Sequence, residues 1–133
     1  MQFCNQQLRE LFASVNTIAL VGASPRPHRD SYLCMAFLLE RGYRVIPVNP
    51  RAAGEMILGQ HCYAALADIE EPVDMVDIFR SSEAALAVTE EAIAMGAKLV
   101  WMQLGVVNHA AAVLAEAAGL QVVMDRCPMI ELH

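Results

Sequence analysis

A glycine turn followed by arginines is the part of this chain best suited to chemistry. Residues 17–24 read TIALVGAS, so a run of β-favouring residues ends at Gly22, and Arg26 and Arg29 follow before a long apolar segment begins at Tyr32. This order predicts a strand, a tight turn and a helix. Glycine there lets the backbone bend sharply and lets a ligand approach the main chain, while the helix N–H groups and dipole face the turn. Such junctions hold phosphate in α/β proteins, so we predict a phosphate- or nucleotide-binding site.

Arginines collect at the ends of the predicted strands. Eight of the nine basic residues are arginine, and five of these fall at strand ends: Arg26, Arg29, Arg51, Arg80 and Arg126. Arginine grips phosphate through its planar fork of N–H donors, and ligands of parallel α/β sheets bind outside the carboxyl ends of the strands. We expect two or three of the five to lie near a ligand with several phosphates. Arg26 and Arg80 are the first choices.

The residues around the turn argue against NAD as the ligand. A dinucleotide site usually reads G-x-G-x-x-G and has an acidic residue after the second strand. This chain keeps only one of these glycines, Gly22, and has Asn49 where the acidic residue is expected. Arg51 could accept a 2′-phosphate, which keeps NADP open. No G-x-x-x-x-G-K-[ST] occurs, which excludes a P-loop. A phosphorylated ligand that needs no carboxylate on its ribose fits better.

Composition indicates a single globular domain spanning residues 1–133. The chain is 56% apolar and 18% charged, enough to build a core, and its formal charge of −6 argues against nucleic acid as a partner. No apolar run approaches the ~20 residues of a membrane span, and residues 1–9 lack a signal-peptide pattern. We therefore expect a cytoplasmic protein that does not enter a membrane.

Five predicted strands alternate with helices. The strands are 17–21, 44–48, 74–79, 98–103 and 121–125, and the helices are 6–15, 31–41, 82–95 and 110–118, with Ser82 and Asn108 as N-caps of the last two. Residues 51–59 are expected to form a loop, 61–63 a short edge strand and 66–71 a helical turn or loop. The strand cores are mostly apolar rather than strictly alternating, as in a parallel sheet buried on both faces. The predicted fold is α/β: a Rossmann-like, doubly wound, mainly parallel five-stranded sheet with helices on both faces.

Several segments together resemble one family. They are IALVGAS (18–24), GYRVIPVNP (42–50), PVDMVDIFR (72–80), AKLVWMQLGVVN (97–108) and VVMDRC (122–127), which span most of the chain in order. The sequence is similar to the small single-domain CoA-binding proteins, relatives of the CoA-binding domain of succinyl-CoA synthetase α and of NDP-forming acyl-CoA synthetases. The departures lie mainly in the loop at residues 28–29 and in residues 52–56.

The resemblance implies that coenzyme A lies in the cleft at the strand ends. It places Gly22, Ala23 and Ser24 against the CoA diphosphate, Pro47, Val48 and Asn49 by the adenine and ribose, Phe79 and Arg80 beside the cofactor, and Gln103 and Gly105 along the pantetheine arm. Tyr32, at the start of the second helix, is a further candidate for stacking on the base. Trp101 lies inside a predicted strand and is expected in the core.

No residues are spaced in a way that requires catalysis or a metal. We find no Ser-His-Asp, Cys-His or paired-carboxylate set, and Asp74 and Asp77 beside the third strand are expected to cap or pair. The cysteines are Cys4, Cys34, Cys62 and Cys127, none spaced as C-x-x-C, and are expected to be scattered buried thiols. Cys127, beside Arg126, is the candidate for a lowered pKa and a mixed disulfide with CoA.

Three hypotheses for function follow. The first is a module that binds CoA or an acyl-CoA and performs no chemistry alone. The second is an enzyme or part of one, either a small NAD(P)-dependent oxidoreductase or an accessory subunit of a CoA ligase. The third is a redox adaptor acting through Cys127. The apolar helix 31–41 also suggests a homodimer.

Overall fold

A computed structural model describes residues 5–131. Its helices are α1 (Asn5–Ala13), α2 (Asp30–Glu40), α3 (Ala85–Ala94), α4 (His109–Ala117) and α5 (Pro128–Glu131). Its strands are β1 (Thr17–Val21), β2 (Arg44–Val48), β3 (Met56–Ile57), β4 (Gln60–His61), β5 (Met75–Ile78), β6 (Leu99–Met102) and β7 (Gln121–Val123). Single 3-10 turns occupy Pro50–Ala52 and Leu66–Asp68. Cys4 lies outside the described residues.

The main sheet has five strands in the order β2-β1-β5-β6-β7, and every neighbouring pair is parallel. This confirms the predicted doubly wound α/β fold. The chain moves outward from β1 to β2 and then returns to the other side of β1, so the strand order reverses between β1 and β5. The carboxyl ends at Val21, Val48 and Ile78 are in register beside this reversal. Open α/β sheets bind ligands in the crevice at such a switch point.

An apolar layer covers each face of the sheet. One layer joins Ile46, Val76 and Val100 to α3 and α4, and the other joins Ile18 and Trp101 to α1 and α2. Residues of β5 and β6 are buried without alternation because both faces are covered. Trp101 is fully buried, as predicted, and its Nε1 donates a hydrogen bond to the Arg126 carbonyl oxygen at 2.8 Å. Within residues 5–131, no helix is long and apolar enough to cross a membrane.

The predicted loop at 51–59 was wrong in part, because it contains the first strand of a hairpin. Strands β3 and β4 pair antiparallel through a two-residue turn in which Leu58 and Gly59 both have positive φ, 49° and 78°. Positive φ at both positions matches the twist of a tight hairpin. The predicted edge strand 61–63 is shifted, since β4 is Gln60–His61 and Tyr63 forms a parallel bridge to Val48.

The prediction that Ser82 caps α3 was wrong. The helix begins at Ala85, and Ser82 instead accepts a hydrogen bond from the Val107 amide at 3.0 Å through Oγ. Its carbonyl oxygen accepts another from Asn108 Nδ2 at 2.9 Å. Asn108 does cap α4 as predicted, because its Oδ1 accepts the Ala111 amide at 2.9 Å. These contacts fasten the loop after β5 to the loop after β6 at the carboxyl edge of the sheet.

Candidate functional site

Gly22 is required by the chain's own packing. Its φ is +92°, and a Cβ built on it would collide with the Phe79 carbonyl oxygen and lie 2.9 Å from the Phe79 carbonyl carbon. The Gly22 and Ala23 amides both donate to the Val48 carbonyl oxygen, at 2.9 and 3.3 Å. The lack of a side chain at Gly22 therefore makes room for the end of β5, and the Gly22 N–H points to β2.

Side chains brace the turn from the next loop. Asn49 Nδ2 donates to the Ala23 carbonyl oxygen at 2.7 Å, and Asn49 Oδ1 accepts the Arg51 amide at 3.0 Å. Ser24 Oγ accepts the Arg26 amide at 3.1 Å. The loops after β1 and β2 are thus held together, and Asn49 keeps one amide hydrogen and one lone pair for other partners.

A cavity of about 620 Å³ opens above the turn, and we call it the turn cavity. It is lined by residues 22–26, by the start of α2 with Arg29, Asp30 and Ser31, and by residues of the loop after β2, including Arg51 and Glu55. This end of α2 lines the cavity, and no side chain caps it, so its first amides have no side-chain capping partner. None of the three ion pairs found in residues 5–131 uses Arg26, Arg29 or Arg51. Unpaired guanidinium groups and a helix N-terminus suit an anion.

A second cavity of about 450 Å³ adjoins the first along the strand ends, and we call it the strand cavity. The two share Asp30 and Phe79. The strand cavity is lined by five apolar residues and four polar or thiol ones: Phe79, Leu104, Val106, Met129 and Ile130, then Asp30, Arg80, Gln103 and Cys127. Together the two cavities form one groove, polar above β1 and β2 and more apolar above β5 and β6.

The structure brings most of the predicted site residues to this groove. Gly22, Ala23, Ser24, Arg26 and Asn49 line the turn cavity, Phe79 lines both cavities, and Arg80 and Gln103 line the strand cavity. The sequence did not single out Asp30, Ser31, Glu55, Met129 or Ile130 as lining residues, because no motif marks them. Their positions follow only from how α2, the β2 loop and α5 meet at the sheet edge.

Four predicted site residues lie outside the lining of both cavities. Pro47 and Val48 are buried under the end of β2. Tyr32 is half-buried against the core layer of α1 and α2. Gly105 lies in an exposed turn whose amide donates to Asp125 Oδ1 at 2.7 Å. Of the strand-end arginines, Arg126 also lies apart, in an ion pair with Glu131 at 3.4 Å.

A cluster of two thiols and a carboxyl group lies beneath the strand cavity. Asp77, within β5, is fully buried, and its Oδ2 accepts a hydrogen bond from Cys34 Sγ at 3.8 Å, while Oδ1 has no partner among the described residues. Burial, and then the charge of Cys127, raise the pKa of Asp77 well above its usual range. The expectation that Asp77 flanks the strand to cap or pair was wrong, because its side chain points into the core.

The pKa values of the two thiols in the cluster shift in opposite directions. A hydrogen bond from Cys34 is the main influence that lowers the pKa of Cys127 to about 5, with Gln103 and the amides of Met129 and Ile130 adding to it against burial. The same thiol–thiol contact, with burial, raises the pKa of Cys34. Cys34, Cys62 and Cys127 are buried as predicted, but Cys34 and Cys127 are not scattered. They are distant in sequence, so spacing could not reveal that they meet.

The five-stranded sheet with its switch-point groove defines a Rossmann-like α/β domain. Residues 16–133 match the family model described as the CoA binding domain, so the chain belongs to the CoA-binding domain family, as the resemblance indicated. It is 36% identical over 121 residues to the uncharacterized protein YneT of Bacillus subtilis (strain 168), covering 91% of this chain and 88% of that protein.

Solved structures agree with this assignment. A hypothetical protein from Pyrococcus horikoshii OT3 is similar with a TM-score of 0.92 and 42% identity, covering 97% of this chain and 89% of that one. A dinucleotide forming acetyl-coenzyme A synthetase 1 from Ca. Korarchaeum cryptofilum is similar with a TM-score of 0.71 and 25% identity. That match covers 83% of this chain but 26% of the synthetase, so the likeness concerns one part of a much longer protein.

Proposed function

We propose that this protein binds coenzyme A or an acyl-CoA in the groove at the carboxyl ends of the strands and catalyses no reaction on it alone. The observation that carries the proposal is that two cavities of different character share Asp30 and Phe79. Coenzyme A has the same division, with a phosphorylated nucleotide at one end and a pantetheine arm at the other. Family membership supports CoA as the ligand over other phosphorylated compounds.

The turn cavity is where we place the phosphates. Arg26, Arg29 and Arg51 face Asp30 and Glu55 there, so three guanidinium groups outnumber two carboxylates. The first amides of α2 add the positive end of an eleven-residue helix. Because the Gly22 and Ala23 amides are already bonded to Val48, we assign the phosphate to the arginines and α2 rather than to these two amides.

The strand cavity is where we place the pantetheine arm. Leu104, Val106 and Met129 offer apolar surface, while the Gln103 Oε1 atom is buried without a hydrogen-bond partner in the described structure. A buried acceptor without a donor costs about 1–3 kcal/mol. An amide N–H of the pantetheine arm would remove that cost, which no purely apolar ligand could do.

Calorimetric titration tests the proposal. We expect CoA to bind more tightly than dephospho-CoA, NAD, NADP or ATP. Arg26→Gln should weaken CoA binding about tenfold, the value of one charge-assisted contact. Arg9→Gln, on the exposed side of α1, is the matched control and should leave affinity unchanged. Failure of CoA to bind, or equal binding of all five ligands, would overturn the proposal.

The absence of catalysis needs its own measurement. Acetyl-CoA incubated with the protein should remain intact by liquid chromatography over hours. Progressive release of free CoA at a rate proportional to protein concentration would show an enzyme instead.

A further inference from the structure

Two buried thiols near the strand cavity have no role assigned in the proposed CoA binding. Cys127 lines this cavity, and Cys34 is fully buried on α2 with its Sγ 3.8 Å from Asp77 Oδ2. Gln103, which lines the same cavity with 7% exposure, hydrogen-bonds to Cys127 and keeps its Oε1 without a partner. Helix α2, which carries Cys34, packs against α5, which begins directly after Cys127, and the two thiols hydrogen-bond to each other. Two neighbouring thiols, one of them lining an open cavity, suit thiol–disulfide exchange.

We propose that Cys127 and Cys34 are a thiol–disulfide exchange pair, in which Cys127 attacks small disulfides that enter the strand cavity and Cys34 resolves the product. The proposal rests on the cavity and the cluster and does not depend on CoA binding. Its ligand class is the disulfide of a low-molecular-weight thiol.

The reaction balances without any other reactant. The Cys127 thiolate attacks one sulfur of the disulfide RSSR, a Cys127–SR bond forms, the RS–SR bond breaks, and RS⁻ leaves and takes a proton from water. The Cys34 sulfur then attacks Cys127, forming the Cys34–Cys127 bond, and the second RS⁻ leaves with the proton that Cys34 gives up. Two protein thiols are oxidised by two electrons, and one disulfide is reduced to two RSH molecules.

The bridge would join parts of the fold that are already packed together. Cys34 lies in the middle of α2, Cys127 directly precedes α5, and the two helices are in contact. Met129 and Ile130 of α5 line the strand cavity. A disulfide between α2 and the start of α5 would therefore fix one wall of the cavity in place.

Access assigns the roles of the two thiols. Cys127 lines the cavity, so an entering disulfide reaches it first, whereas Cys34 is fully buried and can react only with Cys127. The lowered pKa of Cys127 and the raised pKa of Cys34 agree with these roles. The thiolate is the form that attacks. Cys62 is also buried, and burial raises its pKa, so it serves as the internal control.

Mass spectrometry of the intact protein with 2-hydroxyethyl disulfide, a small uncharged probe, tests the pair in a Cys4→Ser background. We expect the protein to lose two hydrogens as the internal disulfide forms, and peptide mapping to show a Cys34–Cys127 linkage. Cys34→Ser should accumulate a stable mixed disulfide on Cys127, and Cys127→Ser should react at least about tenfold more slowly. Cys62→Ser should behave like the parent.

Several outcomes would overturn the proposal. These are a Cys127→Ser variant that reacts as fast as the parent, modification found chiefly on Cys62, or a mixed disulfide on Cys127 that persists in the parent. The linkage map uses the parent thiols alone, so it decides the matter even where a variant does not fold. Because the probe carries no phosphate, the result is separate from whether CoA binds.

Discussion

The hydrogen at Gly22 that a side chain would replace points at the backbone carbonyl of Phe79. A Cβ there would lie 2.9 Å from the Phe79 carbonyl carbon and 3.2 Å from its Cβ, closer still to the oxygen. The turn after β1 and the end of β5 are thus in direct backbone contact, with Gly22 and Phe79 both in the lining of the turn cavity. The floor of the groove is set by this contact, which only glycine permits.

Replacing Gly22 by alanine should be severely destabilising. The cost combines a positive φ with a backbone collision, and we expect a loss of about 3 kcal/mol or more in the free energy of unfolding. Gly42→Ala is the matched control, because Gly42 has a φ of +93° but no atom within 4 Å of its added Cβ. It should cost only about 1–2 kcal/mol. Urea denaturation of both variants measures the difference, and equal losses would contradict the role given to Phe79.

How much of this molecule can be predicted from sequence depends on the range of the interactions involved. Strands 17–21 and 44–48 were predicted with their observed bounds, because apolar runs between polar turns are a local signal. The hairpin at β3 and β4 was missed, since Leu58 takes the positive φ at which Asn or Gly usually signals such a turn.

The candidate site divides in the same way. The glycine turn and the strand-end arginines were visible because a strand and a helix adjoin them in sequence. The contact of Gly22 with Phe79, and of Cys34 with Cys127, depends on how β1, β5, α2 and α5 pack. Periodicity gives which residues are buried but not which distant residues meet, so these relations needed the folded structure.

Gln103→Leu should separate the two ends of the proposed CoA site. It removes the unpartnered Oε1 acceptor from the strand cavity, so we expect CoA binding to weaken about fivefold to tenfold. Adenosine 3′,5′-bisphosphate, which has phosphates but no pantetheine arm, should bind the variant as it binds the parent. Arg26→Gln should weaken the binding of both CoA and the bisphosphate. Calorimetry measures these affinities, and an equal loss of affinity for both ligands in Gln103→Leu would contradict the placement of the pantetheine arm.

Binding of CoA should also depend on salt. Arg26, Arg29 and Arg51 are exposed, so their attraction to phosphate is screened as the ionic strength rises from about 50 to 300 mM. Arg51→Gln should reduce both the affinity at low salt and the slope of affinity against salt, while Arg9→Gln should change neither. A slope that stays the same in Arg51→Gln would show that this guanidinium does not contact the phosphates.

Asp77 should make the protein less stable as the pH rises. Burial raises the pKa of its carboxyl in the fold, where it faces Cys34 and Cys127, so the native state keeps a proton that the unfolded chain releases above about pH 4. Each pH unit above about 4 lowers the free energy of unfolding by about 1.4 kcal/mol, until the pH reaches the pKa of Asp77 in the folded protein. Asp77→Asn should remove this penalty, so the melting temperature of the variant minus that of the parent should increase from pH 4 to pH 7. A constant difference across that range would refute the assignment.

Asp74, three residues earlier, should show the opposite dependence. Burial favours its neutral form, but hydrogen bonds from the Thr17 and Asn16 amides at 3.0 and 2.9 Å, with Lys98 at 3.9 Å, hold its pKa below the usual value. A lowered pKa means that the carboxylate stabilises the fold above about pH 4 and that this contribution is lost as the pH falls through the native pKa. Asp74→Asn should therefore cost about 1–2 kcal/mol at pH 7 and little near pH 2, measured by urea denaturation. Because Asp74→Asn loses most stability at neutral pH, where Asp77→Asn gains most, the two variants give stability differences of opposite sign, with Asp74 directly before the short strand β5 and Asp77 near its other end. If Asp74→Asn lowered the free energy of unfolding by the same amount at low pH, the hydrogen bonds to the two backbone amides, and not the charge of the carboxylate, would account for its contribution to stability.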